Sequence, residues 1–280
     1  MLSTNAMYAR CQLQAESKST MTNYGRHIAS IALHYHMLPT DLDQDQIEDY
    51  LFMLQSREQK TPSASFFKFT VFGLRYLFKI EGLENINVEL PSIESDHKLP
   101  VVLSQEEVKA MLGTCSLLKH RLMIAIMYGC GLRIGELVSL KVNAIDLNRK
   151  MLHVVQGKGK KDRYVPLGEI LCKGIAQHIE AENPKQWLFT GKEHTVPMST
   201  RGVSLAVNEA VKRVKINKNV SCHTLRHSYA THLLEMGMDI MSIKELLGHE
   251  RIETTLVYLH VSQSGRLTPF SPLDRLYNRA

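Results

Sequence analysis

Residues Ser221 to His260 read SCHTLRHSYATHLLEMGMDIMSIKELLGHERIETTLVYLH. Three helical patterns lie in this stretch. Leu225, Leu233 and Leu234 predict a helix that starts near His223 and stops at Gly237. Asp239 is an N-cap candidate before Ile240, Ile243 and Leu247, and Gly248 is placed to end that second helix. Thr254 is a cap candidate for a third, short pattern that carries Tyr258. The polar residues collect at helix ends: His223 and Arg226 in the first turn of one, His249 just past the last turn of the next. A purely structural segment has little reason to gather His, Arg, His and Tyr there. An anion site has one, because first-turn N–H groups and a planar guanidinium both suit phosphate oxygens.

Outward from this stretch, composition sets limits. The chain has 280 residues, 44% hydrophobic and 22% charged, enough for two domains and a sizeable core. A net charge of +6 leans toward a polyanionic partner. The longest apolar run, Leu122 to Leu132, is 11 residues with two glycines, too short to span a bilayer. No membrane association and no signal peptide are expected. Five scattered cysteines (Cys11, Cys115, Cys130, Cys172, Cys222) read as reduced thiols of a cytoplasmic protein.

The N-terminal part reads as helical. Residues 1–18 form a polar arm. Tyr24, Ile28, Ile31 and Tyr35 define one apolar face, and Ile47, Tyr50, Leu51 and Leu54 a second, capped by Asp43 or Asp45. A third helix, about Ser63 to Ile80, ends at Gly82 with Phe67, Val71, Leu74 and Phe78 inward. Beside that face lies a stripe of Lys68, Phe72, Arg75 and Lys79. Such a stripe is either a solvated helix surface or a phosphate-contacting face. Residues 84–102, with two prolines and no period, read as a linker between a helical domain (19–83) and a second domain (103–263).

In that second domain a capping box, Ser104 to Glu107, opens one helix, and an apolar helix runs from about Ser116 to Tyr128. The turn Gly129-Cys130-Gly131 stops it, and Leu132 to Leu137 begins another short helix with Arg133 in its first turn. Met151–Gln156 and Asp162–Leu167 read as two strands of a hairpin whose turn, Gly157 to Lys161, is basic. Trp187 to Thr190 reads as extended, and Val203 to Val214 as helical, followed by basic residues through Lys218.

Arginines, histidines, a lysine and a tyrosine complement one reaction, transesterification at a DNA phosphodiester. Two guanidinium groups can bind non-bridging oxygens bidentately and stabilise the added charge of the transition state. Histidines can hydrogen-bond there and move protons. A tyrosine hydroxyl can attack phosphorus. A lysine on a hairpin could protonate the departing sugar oxygen. No metal or other cofactor is needed.

Four stretches, YGCGLRIGEL (Tyr128 to Leu137), GKGKKDRYVPL (Gly157 to Leu167), HTLRHSYATHLLEMG (His223 to Gly237) and LLGHERIETTLVYLH (Leu246 to His260), resemble the tyrosine recombinase or phage integrase family, including its Xer-like members. The resemblance is strong over about Leu103 to Val261. It implies a fold that is mainly α with a small antiparallel β-sheet (α+β), a SAM-like helical core-binding domain plus a catalytic domain, forming a C-shaped clamp on double-stranded DNA. It implies Arg133 and Arg226 as phosphate-binding arginines, Lys158 as general acid, His223 and His249 as the box histidines, and Tyr258 as nucleophile. Glu136 would support an active-site side chain. Lys68, Arg75, Lys79, Lys160, Lys161 and Arg163 become candidate DNA contacts. The implied function is site-specific recombination through a covalent 3′-phosphotyrosine intermediate, performed by a mobile-element or dimer-resolving enzyme at the nucleoid. A homotetramer on synapsed sites follows, with a partner recombinase as a further option. The tail, residues 264–280, has a helix start at Ser271-Pro272 and is expected to pass to a neighbouring protomer.

Two other readings compete. A catalytically silent DNA-binding protein could keep the same fold. A zinc-dependent hydrolase could use Cys222, His223, His227 and His232, although no motif supplies a water-activating carboxylate.

Overall fold

Side-chain caps fix where the N-terminal helices start. The computed structural model describes residues 18–56, 62–83, 86–92, 99–155, 162–191, 193 and 195–262, and the chain divides into two compact units, Met1–His97 and Lys98–Ala280. In the first unit, α1 spans Lys18–Tyr35, α2 Gln44–Gln55 and α3 Ala64–Glu81. Of the two candidate caps, Asp43 begins α2: its carboxylate accepts from the Gln46 N–H at 2.8 Å, and Gln46 Oε1 accepts from the Asp43 N–H at 3.0 Å. Ser63 caps α3, and Gly82 ends it in the left-handed region. Ile31, Ile47, Leu51, Leu54, Phe67, Val71, Leu74 and Phe78 are buried together, so the apolar spacings predict the core of this unit. Lys68, Phe72, Arg75 and Lys79 lie exposed along α3. Arg75 Nε donates to Val88 O at 2.8 Å, which fixes one side of that stripe.

The second unit is built around one apolar helix. Its elements are α4 Gln105–Thr114, α5 Leu118–Gly129, α6 Ile134–Val138, β1 Ile145–Asp146, β2 Met151–Val154, β3 Arg163–Pro166, α7 Glu169–Glu182, α8 Thr200–Val214, α9 Cys222–Glu235, α10 Ile240–Leu247 and α11 Glu253–Leu256. A 3₁₀ turn, Val257–His260, follows. The strands form an antiparallel sheet in the order β1-β2-β3, with Met151 opposite Pro166 and Val154 opposite Arg163. In α5, Met123, Ile124, Ile126 and Met127 are fully buried, and α7, α8 and α9 pack around it. The architecture is mainly α with a small antiparallel sheet.

Several local expectations change. The strands end earlier than their patterns, at Val154 and Pro166, and β1 is an addition. Trp187 to Thr190 makes only single bridges, Trp187 to Lys141 and Thr190 to Pro197. Helix α7 carries no clean apolar period: its buried face is Leu171, Ile175 and His178, and His178 is accommodated because Nε2 meets Leu188 O at 2.9 Å. Ile252, not Thr254, precedes α11, and Thr254 lies within the helix. Arg133 is the N-cap of α6, one residue before its first turn. The tail, residues 264–280, lies outside the described residues, as does the hairpin turn with Lys158, Lys160 and Lys161.

Candidate active site

Helix α9 is polar in sequence and buried in fact. Ser221 caps it, its hydroxyl accepting from the Thr224 N–H. Beyond the first turn, Leu225, Arg226, Ser228, Tyr229, Ala230, Thr231 and His232 are all buried. Its hydroxyls satisfy the neighbouring backbone: Ser228 Oγ donates to Thr224 O and accepts from the Leu103 N–H at 2.9 Å. The helix can therefore carry Arg226 into the interior, where only 2% of the residue stays exposed.

Arg226 is held by carbonyls at two chain turns. One guanidinium nitrogen donates to Gly131 O and the other to Leu247 O at 2.6 Å. Gly131 stands at φ +60, and a Cβ there would lie 2.5 Å from the Tyr229 ring. Only glycine fits, which explains why the turn after α5 is Gly-rich. Burial, and then the charge of Arg133, press the Arg226 pKa down to about 9, leaving the group cationic at neutrality.

Glu136 organises the arginines. Its Oε2 accepts from the Arg133 N–H at 2.9 Å and its Oε1 from Arg133 Nη1 at 2.9 Å. Arg163 closes on the same carboxylate with two hydrogen bonds, at 3.0 and 2.8 Å, and its Nε donates to Leu246 O at 2.8 Å. Arg226 stands 3.9 Å away. Burial alone would raise the Glu136 pKa. The Arg163 hydrogen bonds and charge, the Arg133 N–H and the Arg226 charge outweigh it and hold the group at about 2. Three guanidinium charges against one carboxylate leave a local excess of 3 − 1 = 2 positive charges. Such a cluster suits an anion.

Arg163 was expected on a DNA-facing surface. It is instead 8% exposed and turned inward, because Glu136 and the end of α10 each accept from its guanidinium, through three hydrogen bonds in all. Gly248 makes room for it: a Cβ there would meet Arg163 Cδ at 3.0 Å.

A cleft of about 320 Å³ opens beside these arginines, lined by Arg133, His223, Arg226, His227, His249, Thr254, Val257 and Tyr258. Five of the six residues singled out from sequence thus meet at one cavity, and the sixth, Lys158, lies outside the described residues. Tyr258 is 1% exposed on the 3₁₀ turn. Its Oη is 3.1 Å from His227 Nδ1, and its ring lies nearly parallel to that of His249 at 6.4 Å. Burial raises the phenol pKa, against the pull of Arg226 and Arg133. His249 Nδ1 meets Thr255 Oγ1 at 2.9 Å. Burial, then the charges of Arg226, Arg133 and Arg163, push the His249 pKa down to about 3. Burial, then His223 and Arg226, push His227 to about 4. Both rings are neutral at pH 7.

Sequence reading placed His227 only in the alternative metal set. Its spacing of four from His223 and its position next to Arg226 were the available signals. The metal set does not converge. Cys222 Sγ faces Ser204 Oγ at 3.9 Å and His232 Nδ1 meets Tyr128 Oη at 2.8 Å. Among the described residues no three His, Cys, Asp or Glu side chains are gathered to hold a metal ion.

A mainly helical domain with a small antiparallel sheet is the fold of a tyrosine recombinase, and here it gathers arginines, histidines and a tyrosine at one cleft. Residues 101–264 match the phage integrase family. A tyrosine recombinase of Thermosipho africanus is 32% identical over 265 residues, covering 91% of this chain and 93% of that protein. Tyrosine recombinase XerA of Pyrococcus horikoshii is 31% identical, over 90% of this chain and 86% of its own length. Among solved structures, the XerH site-specific recombinase bound to palindromic difH substrate, a post-cleavage complex, superposes with a TM-score of 0.71 at 19% identity, covering 94% of this chain and 82% of that one. The chain belongs to the phage integrase family, the tyrosine-type site-specific recombinases that break and rejoin DNA.

Proposed function

We propose that Tyr258 is the nucleophile of DNA strand cleavage, with Arg133 and Arg226 binding the non-bridging oxygens of the scissile phosphate. The observation that carries this reading is the location of the Tyr258 hydroxyl in the same cleft as both arginines, with two net positive charges beside it. Oη forms a bond to phosphorus while the bond to the sugar 5′-oxygen breaks, giving a 3′-phosphotyrosine and a free 5′-hydroxyl. The link keeps the free energy of the phosphodiester, so rejoining requires no nucleotide cofactor. The arginines act by differential binding, since a guanidinium fork gains most as charge builds on the oxygens. His223 and His249 add hydrogen bonds to those oxygens, and Lys158 donates the leaving-group proton. Glu136 holds Arg133 in place.

Residues 19–83 serve as a core-binding domain, 84–102 as linker and 103–263 as catalytic domain. The exposed stripe Lys68, Arg75 and Lys79 contacts phosphates, together with Lys160 and Lys161. The working assembly is a tetramer on two synapsed DNA sites, coupled through residues 264–280, in the cytoplasm at the nucleoid of a cell that carries a mobile element or resolves replicon dimers. Family membership supports these readings, as does the net charge of +6.

A nicked suicide substrate tests the central claim. The wild-type protein should accumulate a covalent protein–DNA adduct, and Tyr258→Phe should bind the same DNA and form none. Tight binding by wild type with no adduct would identify a DNA-binding protein without cleavage activity. An adduct with Tyr258→Phe would place the nucleophile elsewhere.

A further inference from the structure

A phenol whose ordinary pKa is about 10 must lose a proton as it attacks phosphorus, and burial raises that pKa further here. Lysine or arginine cannot take that proton while charged, so an unprotonated base, a carboxylate or a neutral imidazole, is required. No acidic side chain lines the cleft among the described residues. Glu136, the carboxylate that holds the arginines, spends both oxygens on Arg133 and Arg163. Three histidines remain. His249 Nδ1 is engaged with Thr255 Oγ1, and its ring lies alongside the Tyr258 ring with its centroid 6.4 Å away. His223 is exposed, one helical turn before His227, with the two ring centres 5.4 Å apart. Among the described residues, His227 Nδ1 stands at hydrogen-bond distance from the Tyr258 oxygen, at 3.1 Å.

We propose that His227 is the proton acceptor for Tyr258 in strand cleavage and returns that proton in rejoining. The inference rests on Tyr258 as nucleophile. In the resting site the imidazole carries its hydrogen on Nε2, and Nδ1 accepts from the Tyr258 hydroxyl. In cleavage the Oη–H bond breaks, the proton moves to Nδ1, and the freed electron pair forms the bond to phosphorus. The P–O5′ bond breaks, and the departing oxygen takes its proton from Lys158. In rejoining, the 5′-hydroxyl proton returns to Lys158 as O5′ attacks, and His227 restores the hydrogen to Oη as the phosphotyrosine bond breaks.

The groups facing His227 favour a neutral ring before substrate arrives. Among the described residues, His223 and Arg226 on α9, Arg133 at the start of α6 and His249 after α10 bring positive or neutral groups to the cleft. A bound phosphodiester adds the missing negative charge and makes an imidazolium at His227 easier to form. Base strength at this position is thus coupled to substrate binding, which keeps the tyrosine protonated until DNA occupies the site.

His227→Asn separates holding from proton transfer, because the amide Oδ1 can accept from Oη in place of Nδ1 yet cannot carry the proton at neutral pH. On the nicked suicide substrate, His227→Asn should bind DNA with wild-type affinity and form adduct ~10²–10⁴-fold more slowly, the range expected for losing a general base. The deficit should shrink as pH rises from 7 to 9.5, and a difluorotyrosine incorporated at position 258, being more acidic, should restore much of the rate. His227→Gln gives the same readouts should a thermal melt show the Asn variant unfolded. Wild-type rate in a folded variant overturns the proposal. So does a deficit that neither high pH nor the acidic tyrosine relieves. Tyr258→Phe run alongside distinguishes the two layers: adduct in that variant removes the nucleophile reading itself, whereas an inert Tyr258→Phe with a fast His227→Asn removes only the role of His227.

Discussion

Arg163 and Glu136 meet through two parallel hydrogen bonds, at 3.0 and 2.8 Å, with each side chain 7% exposed. The pair joins the first residue of β3 to α6, the helix capped by Arg133, and Arg163 Nε ties both to Leu246 at the end of α10. Removing one partner of a buried pair costs about 3–5 kcal/mol where the other charge is left unpaired. Arg163→Ala should therefore lower unfolding stability in urea by less than that, because two hydrogen bonds from Arg133 still hold Glu136. It should also slow adduct formation under conditions where the variant is fully folded, because Glu136 loses the group that fixes it beneath Arg133. Unchanged stability and unchanged cleavage together would rule out this anchoring role.

The turn after α5 is a second point of fixed geometry. Gly131→Ala would force a Cβ to within 2.5 Å of Tyr229 Cδ1 and 3.0 Å of Leu247 Cδ2, at a backbone φ of +60. Overpacking costs typically about 1–3 kcal/mol, and the left-handed backbone roughly 1 kcal/mol more. Because Gly131 O is one of the two acceptors that hold Arg226, cleavage should fall by more than the loss of folded protein explains. Circular dichroism melts paired with single-turnover cleavage measure both. Equal losses in the two would show that the turn serves the fold alone.

Much of this was legible before any coordinates. Asp239 and Gly248 bound α10 because a short acidic cap and a left-handed C-terminal residue leave strong local marks. Phe67, Val71, Leu74 and Phe78 gave the core face of α3 by spacing. Helix α7 is harder to read from sequence, because one of its three buried positions is His178, whose burial depends on a carbonyl supplied by Leu188. Arg163 was misassigned for a related reason. A strand-end arginine beside a basic turn looks like a phosphate contact, and only tertiary structure reveals a carboxylate 27 residues earlier in the chain waiting for it. His227 shows in the sequence only by its spacing from His223 and its place next to Arg226, and its hydrogen bond to a 3₁₀ turn 31 residues later has no local signature.

Stability should depend on pH in two stages. His227 and His249 have folded pKa values lowered from 6.5 to about 4 and about 3, so the unfolded chain binds more protons between those limits. Stability is then complete above about pH 6.5 and falls as pH drops, by at most roughly 2.7 kcal/mol per pH unit for two protons. Glu136, lowered from 4.5 to about 2, holds its contribution above pH 4.5 and loses it as pH falls toward 2. Urea unfolding at pH 7.5, 5.5 and 4 should show the first stage, and His249→Asn should flatten its slope. A slope identical in that variant would mean that His249 is not buried as a neutral ring. Bound DNA should weaken the acid sensitivity, because a phosphate beside the ring favours its protonation.

The last prediction concerns Lys158 and the proton of the departing oxygen. Val154 and Arg163 are paired across β2 and β3, and the sequence segment that joins them carries a basic run. Lys158 lies in that segment, and the family resemblance assigns it the general acid. A 5′-oxygen leaves poorly as an alkoxide, and general acid catalysis is worth about 10²–10⁴-fold. A bridging 5′-thiol leaves readily without a proton. Lys158→Ala should therefore cleave ordinary DNA slowly and the thiol-bridged substrate at close to the wild-type rate, with single-turnover adduct formation as the measurement. Arg226→Lys serves as the contrast. It loses a bidentate fork that stabilises the phosphate oxygens, so both substrates should suffer alike. Equal impairment of Lys158→Ala on both substrates would remove it as the acid and move the test to Lys160, the next lysine of the same basic run.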